Sequence, residues 1–168
     1  LLGWYWERIE TCRLHNTWMH QSMKQHPNRF MAFASVQPND RDAIDDLKRC
    51  YDHGFRGVGE VLPQVQNFHM QHKQWLKIVE WCINHNWPIN MHVTDPVGPQ
   101  YRGRVETPLA DYFWLAKEYP ELKLILAHWG GLLGVTELNS YSKKVLSNVY
   151  YDCAASALLY DMDVFERI

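Results

Sequence analysis

The chain has 168 residues, 46% apolar and 21% charged, with 17 Lys and Arg against 19 Asp and Glu for a formal charge of -2. That is the composition of a folded globular domain long enough for one sizeable core. Its cations are scattered rather than gathered in a stripe, which argues against nucleic acid, and no apolar run approaches the roughly 18 residues of a membrane span.

Cys12, Cys50, Cys82 and Cys153 are far apart and form no CxxC pair, so reduced thiols in a cytoplasmic protein are expected. The chain opens on Leu1 rather than Met and runs straight into a Trp- and Tyr-rich stretch. A piece of a longer protein is the expectation, with residues 1–168 forming one incomplete domain.

In chain order, Trp4 to Gln25 reads as a helix closed by Pro27, and Arg29 to Val36 (RFMAFASV) as a strand. Asp40 is placed to cap a second helix, in which Ile44, Leu47 and Tyr51 share a face and Gly54 ends the turn. Phe55 to Leu62 (FRGVGEVL) is the next strand. After the loop Pro63 to Met70, a helix carries Trp75, Ile78, Val79, Cys82 and Ile83 along one stripe and stops before Pro88.

Pro88 to Asp95 (PINMHVTD) follows as a strand, then a helix over Thr107 to Tyr119 with Pro108 at its start and Leu109, Tyr112, Phe113 and Ala116 on its buried face. Leu122 to Gly131 (LKLILAHWGG) is again a strand, a short helix runs beyond Gly134 to Leu146, Asn148 to Cys153 is a fifth strand, and Asp161 to Ile168 starts a last helix. Strand starts near residues 29, 55, 89, 122 and 148 recur at close to the roughly 30 residues of a βα unit. Five such units give an α/β fold, either a section of a (β/α) barrel or a doubly wound sheet.

Two strands deliver a histidine to their C-terminal tips, His92 and His128, where α/β barrels keep their chemistry. Strand, helix, strand forces a parallel pair; neighbouring strands lie about 4.8 Å apart, so both rings can reach one ion or one water. Glu60 ends its own strand at the same edge. It is a candidate catalytic carboxylate, with a solvated loop residue as the alternative. Asp152 interrupts an apolar strand and is expected to pair with a polar neighbour rather than to react.

Tyr101, Arg102 and Arg104 follow the His92 strand and are candidates for gripping an anionic substrate. His69 and His72 read as surface histidines, and Gly130–Gly131 as a tight turn.

The segments HPNRFMAFASVQPND, GFRGVGEVLPQVQ, PINMHVTDP, YPELKLILAHWGG and NVYYDCAAS, from about Pro27 to Ser156, resemble the amidohydrolase-related family of metal-dependent hydrolases. That group also contains aminocarboxymuconate-semialdehyde decarboxylase. The resemblance implies a partial (β/α)8 TIM barrel covering about strands three to seven, and a divalent metal, usually zinc. In the family the metal is held by an HxH pair on the first strand, a histidine on the fifth and an aspartate on the eighth.

On that pattern His92 is the fifth-strand ligand, and His128 is the sixth-strand histidine beside the metal-bound water, a candidate general base and a candidate second ligand. Glu60 ends strand four and Asp152 lies in strand seven. No HxH occurs in the 168 residues, so this stretch by itself is expected to be inactive.

The implied activity of the intact protein is metal-dependent hydrolysis, with non-oxidative decarboxylation on the same site or a non-catalytic binding barrel as alternatives. The expected partner is a small-molecule substrate, a carboxylate among the candidates. A homodimer is the assembly to test; nucleic acid and membrane are not expected partners.

Overall fold

The computed structural model describes residues 1–167. In chain order, α1 (Ile9–Gln25) and α2 (Ala43–Asp52) precede β1 (Val58–Val61), and α3 (Pro63–Gln66) and α4 (Lys73–Asn84) lead to β2 (Ile89–Met91). Next, α5 (Leu109–Glu118) leads to β3 (Leu124–Leu126); a 3-10 stretch, His128–Leu138, and α6 (Ser140–Val145) lead to β4 (Val149–Tyr151); and α7 (Ser156–Leu159) and α8 (Val164–Arg167) follow.

The four strands lie side by side in chain order and pair in parallel. Parallel neighbours joined by crossovers leave every strand's C-terminal end on one edge. This is an α/β fold, the open section of a (β/α)8 barrel.

The predicted strand Arg29 to Val36 is reduced to a short ladder on the outer side of β1. Arg56 N donates to Ala32 O (2.9 Å), Ala34 N to Gly57 O (2.8 Å) and Gly59 N to Ala34 O (3.0 Å), leaving one parallel bridge, Ala34 to Val58. Side chains cut it short. Asn16 of α1 takes both backbone groups of Ser35, at 2.8 and 2.9 Å, and Gln66 Nε2 takes Val36 O at 2.6 Å.

The predicted helix Trp4 to Gln25 begins only at Ile9. Ahead of it the first three residues run beside the sheet, where Leu1 N donates to Met31 O (2.6 Å) and Gly3 O accepts from Glu60 N (2.8 Å), and Trp6 N closes a tight turn on Trp4 O (2.8 Å).

Asp40 does not cap the second helix. Its Oδ1 accepts from Asp42 N (2.9 Å) in the turn before it. On α2 the buried residues are Ala43, Asp46, Leu47 and Cys50, and Tyr51 is exposed. Arg13 Nε reaches the buried Asp46 carboxylate at 2.9 Å and ties α1 to α2. The α4 stripe is as read from the sequence, with Trp75, Ile78, Val79 and Cys82 buried, and it packs in one core with Ile89, Met91, Leu124 and Leu126.

The helix beyond Gly134 splits into the 3-10 stretch and α6, which Asn139 caps through Tyr141 N (2.9 Å). The last helix covers Val164–Arg167, and Ile168 lies outside the described residues.

Candidate metal centre

Glu60 owes its direction to an extra residue. From Val58 to Val61 β1 advances three residues while β2 advances two, Ile89 to Met91, which is a bulge. Such a bulge re-aims the side chain beside it. Gly59 makes it possible: its φ is +139°, and a Cβ there would come 2.5 Å from Asn90 O. Glu60 N is satisfied from the far side by Gly3 O, and its carboxylate turns to the next strand's histidine.

His92 follows β2, and its backbone is held on both sides: its N donates to Val61 O (2.9 Å), and its O accepts from the buried Tyr112 hydroxyl (2.7 Å). Its Nδ1 meets Glu60 Oε1 at 2.9 Å. The Tyr5 ring stands edge-on to the imidazole, centroids 5.4 Å apart, and stacks on Trp4 at 4.4 Å. Burial, with the Glu60 charge second, pushes the Tyr5 hydroxyl up to about 12, so it is a neutral donor throughout the physiological range.

His128 opens a run of left-handed backbone, φ +57° at His128 and Trp129, +61° and +56° at Gly130 and Gly131, +70° at Leu132. For L-residues this conformation costs about 1–2 kcal/mol each, and it persists because the surroundings hold it. Trp129 N donates to Asp152 O (2.9 Å), and His128 N to Asp152 Oδ1 (3.2 Å). The turn also swings the imidazole across β4, where Nδ1 meets Ala154 O at 2.8 Å. A carbonyl only accepts, so Nδ1 carries the proton and Nε2 keeps its lone pair. Nε2 lies 3.3 Å from His92 Nδ1 and 3.7 Å from Glu60 Oε1.

One ligand atom from each of Glu60, His92 and His128 therefore falls within 4.8 Å of the others, and the side chains are only 11%, 14% and 15% exposed. In a tetrahedral zinc site with ligands near 2.05 Å, ligand atoms stand about 3.3 Å apart. Two of the three separations are close to that, and the third is short because a hydrogen bond occupies it. Two imidazoles and a carboxylate are a donor set that suits zinc and neighbouring divalent ions. The residues fit.

The set forms the floor of a cavity of about 260 Å³ walled by Trp4, Tyr5, Pro99, Tyr101, Arg104 and Leu159. Tyr101 is thus at the site, but Arg102 is exposed and does not line the cavity. The loop folds so that Arg104 points in instead, its side chain 6% exposed, with Nη2 donating to Asp95 O at 2.7 Å and Nη1 pairing with Glu106. Thr107 Oγ1 pins the loop's far end by accepting from Thr94 N at 2.8 Å.

His69 and His72 stand apart from the set, and among the described residues no other cluster could hold an ion. Sequence reasoning missed Trp4 and Tyr5 because it placed them in a helix. For Glu60 it gave a carboxylate at the edge that carries the histidines but not its contacts with both imidazoles; the Gly59–Glu60 pair at a strand end was the available signal.

The family profile described as Amidohydrolase matches residues 5–167. No curated protein sequence matches. Among solved structures, a TIM-barrel protein from Bordetella bronchiseptica is similar over 90% of this chain and 53% of its own, with 18% identity and a TM-score of 0.66. The 5-carboxyvanillate decarboxylase of Sphingomonas paucimobilis matches 89% of this chain and 57% of its own, with 14% identity and a TM-score of 0.64. A 2,6-dihydroxybenzoate decarboxylase from Rhizobium matches over 79% and 50%, with 22% identity and a TM-score of 0.53. At these identities the likeness is one of fold, and this chain spans less than two thirds of each of those structures.

Proposed function

This chain belongs to the amidohydrolase family, and from that premise we propose that the intact protein is a zinc-dependent hydrolase acting on a small carboxylate-bearing molecule. The observation that carries the reading is the unprotonated His128 Nε2, turned to Glu60 and His92 at 3.7 and 3.3 Å.

Glu60 Oε1, His92 Nδ1 and His128 Nε2 are the atoms that would hold the ion. A divalent ion bound there polarises a carbonyl oxygen and brings a water's pKa toward ~7. Among the three, Glu60 is best placed to move a proton: its Oε1 faces both imidazoles and the ion, and its second carboxylate oxygen, outside those contacts, is the base. That oxygen takes the proton as a water adds to the substrate carbon and returns it to the departing atom. Tyr5 offers its hydroxyl to a substrate oxygen. Arg104 and Tyr101 at the mouth orient the carboxylate, and the wall of Trp4, Tyr5 and Leu159 limits bulk water.

Decarboxylation of an aromatic acid on the same groups is the second reading. The aromatic wall favours it, and so do the activities named for two of the similar structures.

The test supplies the intact protein, with and without zinc, with aromatic esters, lactones and carboxylic acids. Zinc-dependent hydrolysis, lost in His128→Ala, is expected. Release of carbon dioxide from an acid would replace the first reading by the second, and a protein that retains no zinc after dialysis would remove both.

A further inference from the structure

We propose that Asp152 is the positioning residue of this site: its carboxylate, shared among the ends of β2, β3 and β4, fixes the His128 ring with Nδ1 protonated and Nε2 turned inward. This rests on reading Glu60, His92 and His128 as the ion-holding set, but its own content is a tautomer and a ring direction.

Asp152 stands directly after β4, where an unpaired carboxylate would be costly. Its oxygens are met by three N–H donors from three places. Asn90 Nδ2 reaches Oδ2 at 2.9 Å, while His128 N and Ala154 N reach Oδ1 at 3.2 and 3.0 Å. Among the described residues no Lys or Arg pairs with it.

One oxygen thus fixes both halves of the contact that orients His128. It anchors the backbone at the start of the left-handed turn, and it anchors the backbone at residue 154, whose carbonyl receives Nδ1–H at 2.8 Å. The other tautomer would set a ring lone pair against that carbonyl and turn an N–H toward the ion. Loss of the anchor frees the ring to sample both states.

Geometry and charge can be separated, because Asn90 Oδ1 is buried without a partner. In Asp152→Asn the remaining oxygen still accepts from His128 N and Ala154 N. The new amide group meets Asn90, whose side chain can turn over to present Oδ1. Asp152→Ala removes every bond.

The experiment reads the His128 ring nitrogens by 15N NMR in the metal-free intact protein and measures zinc affinity by competition with a chelator, with thermal unfolding as the check that each variant folds. The wild type and Asp152→Asn are expected to keep the Nδ1–H form and to bind zinc within about threefold of each other. Asp152→Ala is expected to show mixed tautomers and zinc affinity about 10- to 100-fold lower, the usual effect of losing a group behind a ligand. If Asp152→Ala does not fold, Asp152→Glu replaces it, keeping the charge while displacing the oxygens by one methylene, with the same losses expected.

The proposal is overturned if the folded Ala or Glu variant retains the single tautomer and full zinc affinity, or if Asp152→Asn loses them. Should the wild type bind no zinc while the tautomers behave as described, the positioning role stands and the metal reading falls.

Discussion

Gly131→Ala separates backbone strain from packing at the turn behind His128. Residue 131 sits at φ +56°, and an added Cβ would lie 2.8 Å from Val93 Cγ1 and 3.0 Å from Thr94 O. The left-handed conformation costs an alanine about 1–2 kcal/mol, and forcing a methyl against buried Val93 and a backbone oxygen adds about 1–3 kcal/mol. Stiffening of the unfolded chain returns about 0.4–1 kcal/mol, so the net loss is about 1–5 kcal/mol with a midpoint of ~3. The assay is equilibrium urea unfolding at unchanged m-value, with Gly134→Ala as reference. There the nearest atom to a new Cβ is a Tyr151 ring carbon at 3.3 Å and no positive φ is involved, so a change under about 1 kcal/mol is expected. If Gly131→Ala destabilises no more than Gly134→Ala, the turn is neither strained nor tightly backed and the reasoning fails.

Tyr112→Phe leaves His92 O without its buried donor and should lower stability by about 1–2 kcal/mol, measurable in the same urea titration. His92→Ala and His128→Ala should each lose zinc on dialysis along with activity; a His128→Ala protein that keeps its zinc would take His128 out of the ion-holding set. Burial pushes the thiols of Cys12 and Cys50 up to about 11 and about 12. In the unfolded chain they ionise near ~8.5. Because the folded values are the higher ones, their contribution is full below about pH 8.5 and declines as pH rises toward 12, by up to about 1.4 kcal/mol per thiol per pH unit. Melting temperature should therefore fall above pH 9, and less so in Cys50→Ala relative to its own neutral-pH value.

The repeat of strand and helix was legible because period and length mark it: the stripe of Trp75, Ile78, Val79 and Cys82 is buried as its spacing requires. The positions of His92 and His128 followed, since a parallel crossover leaves no choice of edge. Misreadings came where side chains took over backbone bonds. Nothing local in RFMAFASV tells that Asn16, 19 residues away, will occupy Ser35. Nor does a Trp-Tyr-Trp run declare whether it will be helical or turn tightly at the mouth of a cavity. Arg102 and Arg104 are equivalent in sequence, and only the folding of their loop sends one outward and the other into the cavity.

The three groups of the metal centre come from strand ends 32 and 36 residues apart, and each interval contains a complete helical crossover. Closing a loop of that length carries an entropy that must be overcome before any contact rewards it. The centre therefore cannot form on a single supersecondary unit; two crossovers must be docked at once. Hydrogen exchange reads the dockings separately: His92 N is held by Val61 O of β1, and His128 N by the Asp152 carboxylate after β4. The centre's two histidines are thus reporters of whether β1 and β2, and β3 and β4, have come into register, quite apart from any chemistry they perform.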